Sequence, residues 1–336
     1  MIDMRGRRQG RLAYRVFITA TSFSTLTPEP EERLAAEGYE LIHNPYGRPM
    51  TAGELRPLLK DVDAIAAGVD QFHPPAFDEA NRLKVLARHG VGMDCVDVPE
   101  CTRRGIVVAN VPGANAEAVA DMAVALMAAV ARHIAEGDAS TKAGKWENTY
   151  GRDMFRATLG LLGLGRIGKG VARRGRGFSM RVLAYDPYWD EKFAAEYGVE
   201  RADSAEQVLR EADFVSVHMP LMPETRGFIN AQKLALMKPT AILVNTARGP
   251  IIDEDALADT LEAGRIIGAG LDVYAAEPPT NSRLLKCPRT VTMPHVSSNT
   301  PGALLGMGNG VTDAIIAVLN GRKPEFLINP EVYEKR

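Results

Sequence analysis

From Tyr14 onward the chain alternates short apolar runs with stretches of helical period. Arg15-Val16-Phe17-Ile18-Thr19 reads as a strand, Pro28 to Glu37 as a helix ended by Gly38, and Tyr39 to His43 as a second strand. Thr51 to Lys60 reads as a helix capped by Thr51. Ala64 to Ala67 and Lys84 to Arg88 are further strands, the last running into the loop His89-Gly90-Val91-Gly92. A short helix, Val98 to Arg103, leads to Ile106-Val107-Val108. This alternation predicts a parallel sheet with helices on both faces. After a break at Asn110 to Gly113 comes an apolar helix, Ala116 to about Ala135, rich in alanine and methionine. Its pattern predicts broad burial, either between domains or against a second subunit.

The second half repeats the alternation. Leu159 to Leu162, Val182 to Tyr185, Phe214 to Val217, Ala241 to Val244, Ile266 to Leu271 and Thr290 to Thr292 read as strands. Ala231 to Met237, Asp253 to Leu261 and Ala303 to Leu319 read as helices, the last ending at Asn320-Gly321. At 336 residues the chain is long enough for two such units.

One stretch carries a ligand signature. The strand ending at Leu162 passes directly into Gly163-Leu164-Gly165-Arg166-Ile167-Gly168 and a helical pattern, and the next strand ends on Asp186. This is the G-x-G-x-x-G dinucleotide fingerprint in its strand, turn and helix setting. Gly163 permits the tight turn, Gly165 lets backbone approach a pyrophosphate, and Gly168 lets helix pack on strand. The helix N-terminus offers free N–H groups to the phosphates. Asp186, 18 residues beyond Gly168, can accept from a ribose diol and would repel a 2′-phosphate, which favours NAD over NADP.

Composition narrows the class. The net charge of −2 offers no polyanion-binding field, so no nucleic-acid partner is expected. Cys95, Cys101 and Cys287 form no C-x-x-C pair, so no metal site is expected and a reducing, cytoplasmic setting is. The first fifteen residues carry five arginines without an apolar face and read as a solvated, disordered tail. No stretch reads as a signal peptide or as ~18 apolar residues, so no membrane association is expected.

Three residues with chemistry stand at strand ends of the second unit: Arg248 after Asn245-Thr246-Ala247, Glu277 after Leu271 to Ala276, and His295 after Met293-Pro294. In an open parallel sheet the ligand crevice lies outside those ends. Hydride transfer at a C–O carbon needs a matching proton transfer on oxygen, which a histidine supplies. A carboxylate on its second nitrogen fixes the tautomer, and an arginine grips a carboxylate with two parallel bonds. The three types describe a 2-hydroxy or 2-oxo acid dehydrogenase. Spacing alone does not bring them together: each by itself also reads as an ordinary loop residue.

Thr246-Ala247-Arg248-Gly249, Gly270-Leu271-Asp272-Val273-Tyr274, Glu277-Pro278 and Pro294-His295 resemble, in this order, the signature set of the D-isomer-specific 2-hydroxyacid dehydrogenases. The likeness takes in Arg88-His89-Gly90-Val91-Gly92-Met93-Asp94, Gly144-Lys145-Trp146 and Val217-His218-Met219-Pro220-Leu221, and covers nearly everything from Tyr14. The phosphoglycerate dehydrogenase branch looks nearest, while hydroxypyruvate and glyoxylate reductases share most of the pattern. The resemblance implies an α/β fold of two doubly wound parallel-sheet domains. A smaller flavodoxin-like substrate domain would span residues 1–112, with 1–13 as the disordered tail, and be completed by 302–336. A Rossmann NAD-binding domain would span 113–301.

It also implies roles. His295 would move the proton, Glu277 would be its partner, and Arg248 would anchor substrate. Arg88, Gly90, Val91 and Gly92 would contact substrate, the loop through its backbone N–H groups. Gly163, Gly165, Arg166, Ile167 and Gly168 would lie on the pyrophosphate and Asp186 on the adenosine ribose. Asp272 would hold the nicotinamide carboxamide, and Met219, Pro220, Thr225, Thr246, Ala247, Ser297 and Ser298 would complete the cofactor wall. The helix from Ala116 would sit in a homodimer interface of the NAD-binding domain.

Departures bear on substrate. Val296-Ser297-Ser298 stands where the family often has small residues, and its hydroxyls could add contacts. Gly68 and Asn148 stand where phosphoglycerate enzymes carry arginine, leaving Arg88, with Arg152 as a candidate replacement. The expected activity is reversible hydride transfer between NAD(H) and a small 2-hydroxy or 2-oxo acid, 3-phosphoglycerate among the candidates. The alternatives are a hydroxypyruvate or glyoxylate reductase and, in another class, an NAD-sensing binding protein resembling the C-terminal-binding corepressors. A formate dehydrogenase is disfavoured, because that family places glutamine where Glu277 stands.

Overall fold

The computed structural model describes residues 13–334. The basic tail lies, through residue 12, outside the described residues. The chain divides into two compact units, Met1–Asn115 with Asn299–Arg336, and Ala116–Ser298. The breaks fall after Asn115 and Ser298 rather than after residues 112 and 301. Ala114 packs on Gly306, and the Thr300 hydroxyl caps the last helix by accepting from the Ala303 amide, so both belong with the first unit.

The first unit runs β1 (Arg15–Ile18), α1 (Glu29–Ala36), β2 (Glu40–His43), α2 (Ala52–Leu58), β3 (Ala64–Ala67), β4 (Val85–Arg88), α3 (Val98–Arg103) and β5 (Val107–Ala109). All strands pair in parallel, in the order β2-β1-β3-β4-β5. That is the flavodoxin-like order, which follows from right-handed crossovers. α2 starts at a full capping box: Thr51 accepts from the Glu54 amide and Glu54 accepts from the Thr51 amide. Buried apolar residues line both faces of the sheet.

The second unit runs α4 (Ala116–Ala131), α5 (Ile134–Lys142), β6 (Thr158–Leu162), α6 (Arg166–Gly177), β7 (Arg181–Tyr185), α7 (Glu191–Tyr197), β8 (Val199–Arg201), α8 (Ala205–Glu211), β9 (Phe214–Val217), α9 (Ala231–Leu234), β10 (Ile242–Asn245), α10 (Glu254–Glu262), β11 (Gly268–Leu271) and β12 (Thr290–Thr292). Its seven parallel strands are ordered β12-β11-β10-β9-β6-β7-β8, a Rossmann sheet with one added edge strand. The chain returns to the first unit with α11 (Pro301–Leu319).

Several expectations change. The helix from Ala116 ends at Ala131, because His133 takes a left-handed φ of +52°; α5 then leaves at 62°. The buried stripe of α4 packs against its own unit, lying on α6, β10 and β11. Glycine permits this: a Cβ at Gly270 would stand 2.8 Å from Leu126 Cβ, and one at Gly170 would stand 2.8 Å from Ala120 Cβ. The region Glu191–Glu211 contains α7, β8 and α8, which the apolar pattern did not announce. Asp190 and Ser204 cap the two helices through their side chains, and a left-handed Gly198 ends the first. α11 is long and apolar enough to match a membrane span, contrary to expectation. Its apolar face is buried in the first unit, as a core helix requires.

Candidate active site

Because all seven strands of the second unit are parallel, the residues after each strand gather at one edge of the sheet. β6, β7, β9, β10, β11 and β12 there deliver, in turn, the Gly163 turn, Asp186, Met219, Arg248, Glu277 and His295.

His295 and Glu277 meet. Nδ1 of the imidazole lies 2.6 Å from Glu277 Oε2, and each side chain is 37% exposed, so the pair is both formed and reachable. The other Glu277 oxygen accepts from the Tyr274 amide at 3.1 Å. Burial pushes the Glu277 carboxyl upward. The His295 hydrogen bond and charge, the Tyr274 amide and the Arg248 charge outweigh it, so the group sits below the usual carboxylate range. Arg248 is thus electrostatically part of the group. Its turn is set by Asn245, whose Oδ1 accepts from the Ala247 amide at 3.0 Å and whose amide donates to the Arg248 carbonyl at 2.9 Å. His295 has a left-handed φ of +55°, a strained state for a side-chain-bearing residue.

Residues 124–297 match the NAD-binding domain of the D-isomer-specific 2-hydroxyacid dehydrogenase family. A glyoxylate reductase of Thermococcus kodakarensis is 41% identical over 332 residues, covering 96% of this chain and 98% of that one. The chain belongs to the D-isomer-specific 2-hydroxyacid dehydrogenases. A D-3-phosphoglycerate dehydrogenase of Methanocaldococcus jannaschii is 39% identical over 83% of this chain and 54% of its own length. The crystal structure of a D-lactate dehydrogenase from Aquifex aeolicus, complexed with NAD and lactic acid, superposes with a TM-score of 0.80 at 27% identity, covering 91% of this chain and 96% of that one.

The dehydrogenase is an oxidoreductase acting on a CH–OH group with NAD as cofactor, and the fingerprint has the space NAD needs. Gly163 adopts φ +106°, and a Cβ there would lie 2.8 Å from the His218 carbonyl carbon. A Cβ on Gly168 would strike the Gly163 carbonyl oxygen, whereas one on Gly165 would meet no atom of the described residues within 4 Å. The turn is therefore closed toward the protein and open where a pyrophosphate approaches. Arg166 is exposed as the first residue of α6, and Ile167 packs partly into the core. Asp186 accepts from the Leu164 amide at 2.6 Å and from the Tyr188 amide at 2.7 Å, so it braces the turn; it also lines a cavity of about 390 Å³ with Tyr185, Pro187 and Arg201. Thr246 Oγ1 is buried and has no hydrogen-bond partner among the described residues, as a residue awaiting a ligand would be. The Thr225 hydroxyl closes the turn after Met219 by donating to the Pro220 carbonyl at 2.7 Å.

Other expected site residues are engaged elsewhere. Asp272 is fully buried and accepts from the Val296 and Ser297 amides, both at 2.9 Å, and from the Ser297 hydroxyl. In this structure it shapes the loop after His295, and the Ser297 hydroxyl adds to that hold. Ser298 is half-buried beside it. Arg88 is only 7% exposed, with its guanidinium folded beneath the Gly90 loop and donating to the His89 carbonyl at 2.5 Å. The Gly90 amide donates to the Arg88 carbonyl at 2.8 Å, so it is not an open donor; Val91 is exposed and Gly92 half-buried. Arg152 reaches Asp213 at 3.4 Å and donates to the Thr240 carbonyl. Both lie just before β9 and β10, at the edge of the sheet away from the crevice. Gly68 has no room for a longer side chain, because a Cβ would lie 2.9 Å from Asp70 Oδ2.

Sequence reasoning missed Tyr274, Glu254 and His218 as parts of this architecture. Tyr274 was visible only inside a signature string. Glu254 accepts from the Ala275 amide at 2.5 Å and the Ser282 hydroxyl at 3.1 Å, and so clamps both ends of the loop that carries Glu277. Nothing in the spacing of Glu254 announces that contact.

Proposed function

We propose that the protein reduces a small, unphosphorylated 2-oxo acid, with glyoxylate and hydroxypyruvate the leading candidates, and uses NADH in preference to NADPH. The observation that carries the substrate choice is Arg88, whose guanidinium is buried against backbone carbonyls. Arg152 is engaged at the far edge of the sheet and Gly68 has no space for a cation. A phosphate held without such cations forgoes charge-assisted bonds of about 1.5–3 kcal/mol each. The glyoxylate reductase likeness over nearly the whole chain supports the same choice.

Bound NADH supplies the hydride. Arg248 grips the substrate carboxylate and orients the carbonyl. His295 gives its proton to the carbonyl oxygen as the alcohol forms, and takes it back in the reverse direction. Glu277 holds the other ring nitrogen and stabilises the imidazolium. Asp186 would hold the adenosine ribose, where a 2′-phosphate would meet a like charge.

The reading includes a homodimer through the NAD-binding unit, formed by the segment after α4. α5 buries none of its residues, and Trp146 and Tyr150 are 92% and 89% exposed. The three unpaired thiols support a cytoplasmic setting.

The test is NADH oxidation by the purified protein against glyoxylate, hydroxypyruvate, pyruvate and phosphohydroxypyruvate. Preference for an unphosphorylated acid is expected. Fast turnover on phosphohydroxypyruvate alone would overturn the substrate choice. Tight NADH binding without turnover on any 2-oxo acid would favour the NAD-sensing binding protein.

A further inference from the structure

One residue after β11 touches Glu277 and the backbone that leads toward His295. The Tyr274 hydroxyl donates to the Met293 carbonyl at 3.1 Å, two residues before His295, and its amide donates to Glu277 Oε1 at 3.1 Å. The Met293 amide is itself held by the Leu271 carbonyl at 2.8 Å. On the other side of His295, the Val296 amide is held by Asp272. His295 therefore stands in its left-handed conformation between two brackets, both built from Leu271 to Tyr274. Such a conformation persists only where its surroundings over-determine it. The Tyr274 peptide also lies directly against Gly249, the neighbour of Arg248, since a Cβ at 249 would overlap the Tyr274 carbonyl.

We propose that Tyr274 is a positioning residue for proton transfer, setting the His295 backbone through the Met293 carbonyl and the Glu277 carboxylate through its own amide. The inference rests on the reading of His295 as proton donor. The geometry suits a fixed role: Tyr274 is 4% exposed, and burial pushes its hydroxyl up to about 12, so it remains a donor throughout the working range. Its hydroxyl lies 3.1 Å from the Met293 carbonyl, nearer than the 3.4 Å that separates it from the Leu271 carbonyl.

The test is Tyr274→Phe, which removes the hydroxyl and keeps the ring. Turnover of glyoxylate is expected to fall about tenfold, the net worth of one hydrogen bond. The NADH dissociation constant should stay within twofold. In a Glu277→Gln background the same change should cost less than twofold, because the pair it serves is already broken. A second readout needs no turnover: the His295 imidazole resonance, assigned by its absence in His295→Ala. That resonance should shift position in Tyr274→Phe, since the imidazole's contact with Glu277 is loosened. Glu277 and Arg248, the charged groups of the cluster, and the nearby Asp272 are unchanged in that variant. An unmoved resonance with turnover within twofold of wild type would overturn the proposal. So would an equal loss in both backgrounds, or NADH binding lost together with turnover. Absence of wild-type turnover on every 2-oxo acid would instead refute the proton-donor reading, while the resonance position still decides Tyr274's hold on the pair.

Discussion

Replacing Gly168 by alanine, set beside the same change at Gly165, separates folding from cofactor binding. At Gly168 the new Cβ would overlap the Gly163 carbonyl oxygen and lie 3.1 Å from its carbon. Both are backbone atoms of the turn, so α6 must retreat. Overpacking of this kind costs about 1–3 kcal/mol, against roughly 1 kcal/mol gained by alanine over glycine within a helix. A fall in Tm of several degrees is expected. The retreat also withdraws the helix N-terminus from the phosphates. Each charge-assisted bond lost there is worth about 1.5–3 kcal/mol, or roughly 10- to 100-fold in NADH affinity. At Gly165 the added Cβ meets no atom of the described residues within 4 Å and φ is −68°, so Tm should shift by only about 2 °C. It nevertheless fills the space the pyrophosphate needs, so NADH binding should fall as steeply. Thermal unfolding and NADH fluorescence titration on both variants suffice. Gly165→Ala binding NADH like the wild type would refute the reasoning, as would Gly168→Ala with wild-type Tm and affinity.

His295→Ala should lower turnover by about 10²–10⁴ while leaving NADH affinity within twofold; unchanged kcat would remove His295 from the chemistry. Asp186→Ala should weaken NADH and narrow its advantage over NADPH, and equal wild-type affinities for the two would refute the ribose assignment. The His218 nitrogens are buried with no hydrogen-bond partner among the described residues, and burial lowers this imidazole from 6.5 to about 3. Between those values the unfolded chain binds a proton that the folded chain does not, so stability falls as pH drops through that window. His218→Leu should flatten this acid limb in urea melts at pH 6 and pH 4; equal slopes would show that the imidazole takes up its proton while folded. Trp146→Ser with Tyr150→Ser should weaken self-association by light scattering, and an unchanged dimer would exclude that segment.

Much of the fold was legible because its signals are local. A strand buried on both faces is a short apolar run, and a tight turn onto a helix needs glycine at fixed places. The strands Phe214–Val217 and Thr290–Thr292 and the helix Val98–Arg103 appear with the bounds the pattern predicted. The region Glu191–Glu211 was illegible because its strand has one buried residue and its helices announce themselves only through the caps Asp190 and Ser204. The end of α4 at Ala131 was hidden because no glycine or proline marks it; a histidine takes the left-handed turn.

The sequence by itself determined that two α/β units exist, where the dinucleotide turn lies, and which residue types the chemistry has to work with. Those follow from period, turn chemistry and motif order, all readable along one strand of text. Only the tertiary structure decided what those residues touch. It brought His295 within 2.6 Å of Glu277 across 18 positions, folded Arg88 under its own loop, sent Arg152 to the wrong edge of the sheet, and set Tyr274 against both Glu277 and the Met293 carbonyl. The reason is physical: a side chain's partners depend on strand order and on rotamers chosen in the packed state, and neither is encoded in the spacing between residues.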